Sequence, residues 1–152
     1  MADNANDPVA PLLARPLVDD EEMVLRALHE PSWDAEKQRA TPSAFGNGNC
    51  FSLSRPAILP ESAIIARWRE DLERPTRRLE ALAEVRVGDI RACAPPGDPQ
   101  ALSLNVFADP DLKRNNPAHA ELVGSDQEVT RLRKIPRGIG NRILQQCRIR
   151  LL

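Results

Sequence analysis

Prolines punctuate this chain so often that no long regular element fits between them. Fourteen are spread over 152 residues. Each fixes its own φ, lacks an amide hydrogen and biases the preceding residue towards extended backbone. Pro8, Pro11 and Pro16 cut the first segment, Pro31 closes the second, and Pro56, Pro60 and Pro75 bound the middle. Pro95, Pro96, Pro99, Pro110, Pro117 and Pro136 divide the rest. The pieces between them carry helical or alternating apolar patterns in no repeating order. Regular β-α-β-α alternation is missing, which points to a single α+β domain. The expected sheet is mixed or antiparallel, with about four or five strands and three or four helices.

Residues 1–18 read as an extended N-terminal arm, because three prolines oppose a helix. Leu12, Leu13, Leu17 and Val18 are apolar for a free tail and suit packing along the domain or on a partner. The domain itself is expected over 19–152. A helix is expected from Asp19 or Asp20, with Asp20, Glu21 and Glu22 in its first turn, and Met23, Val24, Ala27 and Leu28 as its apolar stripe. On that helix Arg26 and His29 share a face. Residues 30–49 read as irregular, anchored by Trp33. Cys50 to Ser54 alternates as a half-buried strand does.

Ile64, Ile65, Trp68 and Leu72 recur at helical spacing between Pro60 and Pro75, the strongest helical signal in the chain. Strands are expected at 82–87, 101–107 and 118–123, with a short helical turn from Gly88 and a proline-rich loop at 95–100. Ser125 to Glu128 fits a capping box, so a helix is expected after it. Pro136 should interrupt that helix, Gly138 and Gly140 should bend the chain, and Asn141 to Gln146 should add one more turn. Cys147, Ile149 and Leu151 alternate with Arg148 and Arg150, as in a closing strand.

Bulk properties exclude several classes. Aromatic residues make up 3% of the chain and tyrosine is absent, so the stacking platforms of a sequence-independent nucleic-acid binder are missing. Three cysteines at long spacing, no Cys-x-x-Cys pair and two histidines argue against a zinc site or a disulfide framework. No metal and no cofactor is expected. No stretch approaches 18 apolar residues and no signal-peptide core follows Met1, so a cytoplasmic protein without a membrane partner is expected.

Charge is unevenly spread. Residues 1–76 hold 13 acidic and 8 basic residues, while 77–152 hold 9 acidic and 13 basic. No acidic residue follows Glu128, where Arg131, Arg133 and Arg137 open a basic run that is a candidate surface for nucleic acid or an acidic partner.

The candidate site residues are Arg26, Ser43 and His119, with Arg55 as a candidate anion clamp and Arg131, Arg133 and Arg137 as further binding candidates. His119 leads them. It sits between Ala118 and Ala120 after the Asn115-Asn116-Pro117 turn, and small neighbours leave room around an imidazole that titrates near neutral pH. A triad of Ser43, His119 and Asp109 can be written down, but no nucleophile elbow supports it. Gly46-Asn47-Gly48-Asn49 lacks the lysine and helix of a phosphate loop.

Three fragments, taken in order, resemble a group of small uncharacterised bacterial proteins. They are Val24-Leu25-Arg26-Ala27-Leu28, then Ser43-Ala44-Phe45 with Ser52-Leu53-Ser54, then Asn116-Pro117-Ala118-His119-Ala120. The resemblance spans roughly residues 24–124 and implies that these positions belong together; it implies no activity.

Three functions are therefore expectations. The first is a non-enzymatic accessory subunit of a bacterial multi-protein system, acting through protein contacts and using its arm. The second is a small enzyme or binding domain for a nucleotide-type anion, using an Arg/Ser/His cleft. The third is nucleic-acid contact through the basic C-terminal region.

Overall fold

Alternating side chains build the centre of the molecule. The computed structural model describes residues 9–94 and 102–152. Its strands are β1 (Met23–Leu28), β2 (Trp33–Asp34), β3 (Arg39–Ala40), β4 (Cys50–Ser54), β5 (Ala81–Arg86), β6 (Ser103–Ala108), β7 (His119–Ser125) and β8 (Arg148–Leu151). Its helices are α1 (Val9–Leu13), α2 (Glu61–Leu72), α3 (Val87–Arg91) and α4 (Arg137–Gln146), with a 3-10 turn at Pro42–Ala44. Six strands form one antiparallel sheet in the order β6-β7-β4-β1-β5-β8, and β2 and β3 form a separate ribbon. The α+β class stands, with a larger sheet than the sequence suggests. Among the described residues no helix is long and apolar enough to cross a membrane.

The main sheet has two packed faces. On one, Val24, Leu28, Phe51, Ala83 and Leu122 belong to the larger core, covered by α3, by Ile143 of α4 and by the Phe45 turn. On the other, α2 sets Ile64 and Trp68 on Leu25, Ala27, Leu79 and Leu82. Burying each such large apolar side chain contributes about 1.5–3 kcal/mol. Residues directly opposite on neighbouring strands share a face. The pairs Leu25↔Ser54, Ser54↔His119 and Ser52↔Glu121 therefore continue the α2 face across β4 and β7, where it turns polar.

Several expectations are corrected. Residues 23–28 form β1, not a helix. Val24 and Leu28 face one core while Leu25 and Ala27 face the other, so a strand buried on both sides mimics a helical stripe. The acidic run before it makes ion pairs instead of a first helical turn: Asp20 with Arg91, Glu21 with Arg86 at 3.0 Å, and Glu22 with Arg55.

No helix starts at Ser125; the next one begins at Arg137. The Asp126 carboxylate accepts from the backbone N–H groups of Thr130 and Arg131 and from the Thr130 hydroxyl, closing a turn in which Val129 has φ 58°. Pro136 starts a helix instead of interrupting one, and α4 runs ten residues through both glycines. The stretch 30–49 contains the β2–β3 ribbon, although Trp33 is buried as an anchor should be.

Residues 1–8 of the arm lie outside the described residues, and residues 9–18 are more ordered than their prolines suggest. Val9–Leu13 is a single helical turn that takes Pro11 within its first turn, where a missing amide hydrogen costs nothing. The amide of Val18 donates to Val106, and the amide of Ala108 donates to Pro16. The arm thus covers the otherwise open edge of β6, the standard liability of an outer strand. The proline-rich loop at 95–100 lies outside the described residues.

Candidate functional site

The polar part of the α2 face carries the chemistry. β7 places His119 and Glu121 two residues apart and hence on one side of the sheet, and β4 sets Ser54 and Ser52 opposite them. A cleft of about 300 Å³ opens here, lined among others by Arg26, Ser52, Arg67, Trp68, Arg114 and His119. A larger depression of about 620 Å³ lies at the ribbon around Trp33 and Arg77, but no histidine, cysteine or serine lines it.

His119 sits between two carboxylates. Its Nδ1 is 2.8 Å from the backbone oxygen of Asp109 and 3.4 Å from that residue's Oδ2. Its Nε2 is 3.2 Å from Glu121 Oε1 and 3.4 Å from Ser52 Oγ. Burial pulls the imidazole pKa down. The Glu121 hydrogen bond, the Asp109 backbone acceptor and the two negative charges outweigh that, leaving it raised. The ring can hold a proton at either carboxylate. The Ser52 hydroxyl donates to Glu121 at 3.2 Å, so it is not activated by His119 as a triad serine would be. Asp109, His119 and Glu121 each offer a metal-ligating atom within 4.8 Å of the others.

Arg26 reaches the cleft from the next strand. β1 and β4 pair at Leu25↔Ser54, and beyond that point the guanidinium takes over: Nη1 donates to the Ser52 backbone oxygen at 3.1 Å and Nε to that of Ala44. The Phe51 and Phe45 rings lie 5.1 and 5.7 Å from its central carbon. Burial lowers its pKa to about 10, against the opposing pull of Glu121, so it stays charged at neutral pH. Arg67 on α2 donates to the backbone oxygens of Arg114 and Asn115 at 2.6 and 2.9 Å, holding the following loop against the cleft. Backbone oxygens are uncharged, so these contacts leave both guanidinium charges in place.

The structure brings Arg26 and His119 together and leaves the other candidates elsewhere. Ser43 donates to the Pro31 oxygen and bonds Thr41, so it belongs to a turn and does not line the cleft. Arg55 is engaged bidentately by Glu22 at 2.6 and 2.8 Å, which fills the clamp that the sequence suggested for an anion. Arg131, Arg133 and Arg137 are exposed on the 126–136 loop and the start of α4, away from the cleft lining. His29 lines the cleft, with Nδ1 at 2.8 Å from the Glu30 oxygen. Asp109 stands beside His119, Ser43 lies elsewhere, and the hydroxyl next to the ring is that of Ser52, which donates to Glu121.

Sequence reading missed Ser52 and Glu121 as site residues. A His-x-Glu on a strand was the available signal for Glu121, because residues two apart share a face. For Ser52 the available signal was its place in the Ser52-Leu53-Ser54 fragment, and the β4–β7 register sets it opposite Glu121. Val24 to Leu28 lies on β1, Ser52 to Ser54 on β4 and His119-Ala120 on β7, three strands adjacent in the sheet, whereas Ser43-Ala44 lies in the 3-10 turn and Asn116 to Ala118 precede β7. The chain matches no protein-family model, no curated protein and no solved structure.

Proposed function

We propose that this chain is a ligand-binding domain or small enzyme for a small phosphate-bearing, nucleotide-type molecule held in the His119 cleft. The observation that carries the reading is the presence of Arg26, Arg67, Arg114 and His119 in the lining of one cleft, with the Arg26 and Arg67 side chains hydrogen-bonded to backbone oxygens only. Arginine charge in a partly desolvated cleft attracts phosphate oxygens, with Glu121 acting on Arg26 and Asp111 on Arg114 as the competing carboxylates. Trp68 offers an apolar wall for a ring, and Asp71 and Asp111 offer acceptors for hydroxyl groups. The cleft sits at the lower end of the size range of small-molecule sites.

A thermal-shift and calorimetric series with inorganic phosphate, a nucleoside monophosphate and the matching nucleoside tests this. Phosphate-bearing compounds should bind, and Arg114→Glu, at an exposed position, should weaken them at least tenfold with unchanged melting temperature. Equal response to nucleoside and nucleotide, or none to either, would sink the reading.

Action through protein contacts has its own supporting observation. β8 is an outer strand of the sheet with Ile149, Leu151 and Leu152 exposed beside it. Pro16 to Val18, by contrast, are already engaged with β6. Light scattering of Ile149→Lys against the unaltered chain separates this reading from a ligand-only role.

A further inference from the structure

Three atoms with lone pairs, two oxygens and a nitrogen, meet at the head of His119 in a spacing close to that of a metal coordination face. Ser52 Oγ and Glu121 Oε1 are 3.2 Å apart, Glu121 Oε1 and His119 Nε2 are 3.2 Å apart, and His119 Nε2 and Ser52 Oγ are 3.4 Å apart. Ligand atoms on a tetrahedral ion with bonds of about 2.0–2.2 Å are separated by about 3.3–3.6 Å, and somewhat less in octahedral geometry. The 3.4 Å edge falls in that range, and the two 3.2 Å edges lie between it and the octahedral spacing.

The orientation of the imidazole supports the same reading. A backbone carbonyl oxygen only accepts hydrogen bonds, so the 2.8 Å contact with Asp109 requires the proton on Nδ1. In the neutral ring the Nε2 lone pair is then aimed at the Glu121 and Ser52 oxygens. Asp109 holds the ring from behind with both its backbone oxygen and, at 3.4 Å, its carboxylate. A metal-binding histidine usually has such a partner on its far nitrogen. The Ser52 hydroxyl hydrogen bridges to Glu121, and a cation among the three atoms would take the hydroxyl lone pairs in place of that contact.

We infer that His119 Nε2, Glu121 Oε1 and Ser52 Oγ form a binding site for a divalent first-row transition-metal ion, with Asp109 as the positioning residue for His119. One nitrogen, one carboxylate and one hydroxyl suit Zn²⁺ or Mn²⁺ better than Mg²⁺, which dehydrates reluctantly and favours oxygen. Ser52 and His119 both line the cleft, so the remaining coordination positions fall to water or to the ligand held there. The site does not depend on the nucleotide reading, because the ion alone is the probe.

The test uses the full chain, stripped with a chelator and dialysed. Zn²⁺, Mn²⁺ and Mg²⁺ are titrated separately by calorimetry, and Co²⁺ is followed by its electronic spectrum. Zn²⁺ and Mn²⁺ should bind one to one, with Mg²⁺ at least tenfold weaker. Co²⁺ should give a ligand-field spectrum without thiolate charge transfer. Glu121→Gln should weaken Zn²⁺ at least tenfold, and Asp109→Asn by about 10–100-fold, the usual effect of removing a histidine's outer partner.

Ser52→Ala alters an exposed position and carries the same expectation if Glu121→Gln does not fold. Absence of one-to-one binding, wild-type affinity in the folded variants, or thiolate bands that place the ion at a cysteine would each overturn the inference. Retained metal binding with no response to phosphate compounds would remove the nucleotide reading alone.

Discussion

Arg26 donates to the backbone oxygen of Ser52 on the neighbouring strand, 3.1 Å away and past the point where β1 and β4 pair through their backbones. A side chain thus does there what a ladder hydrogen bond does elsewhere in the sheet. The same guanidinium bonds Ala44 and lies over Phe45 and Phe51, so one residue joins the cleft, the sheet and the larger core.

Arg26→Ala should therefore destabilise the domain. Each backbone oxygen left without its donor costs about 1–3 kcal/mol, and lost packing on the two rings adds to that. Arg26→Lys should recover only part, because an ammonium cannot span both oxygens in the planar arrangement. Urea unfolding of the two variants checks the order; equal stability of all three proteins would contradict it.

The two helical glycines of α4 should respond in opposite directions. A Cβ at Gly140 would stand 2.7 Å from the Gly46 backbone, whereas one at Gly138 would meet nothing within 4 Å. Gly140→Ala should cost about 1–3 kcal/mol through overpacking against main chain. Gly138→Ala should gain about 0.5–1 kcal/mol from reduced freedom of the unfolded chain. Thermal melts of both variants, run side by side, give the sign of each.

The three cysteines should be slow nucleophiles in the folded protein. Burial raises the Cys147 pKa to about 12 and that of Cys50 to about 11, with Cys93 and Glu121 respectively adding to the effect. Cys93 is raised as well, again chiefly by burial. The thiolate is the reactive form, and it is populated only as pH approaches these values. A thiol reagent at pH 8 should modify the native chain far more slowly than the urea-unfolded one, and rapid labelling of any of the three would contradict the burial argument.

Acid should loosen the turn after β7 late in a titration. Hydrogen bonds from the Thr130 side chain and backbone, and then from Arg131, lower the Asp126 pKa from 3.8 to about 2. A lowered folded pKa means that the contribution is complete above 3.8 and is lost as pH falls towards 2. Asp126→Asn should remove that acid dependence and speed amide exchange at Thr130 and Arg131 at neutral pH. Unchanged exchange in this variant would show that the carboxylate does not hold the turn.

Some of the fold was legible locally. The α2 pattern between Pro60 and Pro75, and the alternation in β4, β5 and β6, each reflect a period that one segment states by itself. β1 was not legible in that way. Two apolar pairs separated by Arg26 read equally as a helical stripe and as a strand buried on both faces, and only the presence of cores on both sides decides. The segment after Ser125 had the letters of a capping box, yet Asp126 found nearer backbone partners in a turn.

The candidate site divides along the same line. His119 stood out because its small neighbours and the preceding turn are adjacent in the chain. Ser52, Glu121 and Arg26 joined it through the register of β4 on β7 and the parting of β1 from β4. By itself the sequence determined an α+β chain of short segments with one conspicuous histidine. Tertiary structure decided what surrounds that histidine, because pairing between strands tens of residues apart depends on the packing of both sheet faces at once and leaves no periodic mark in either strand.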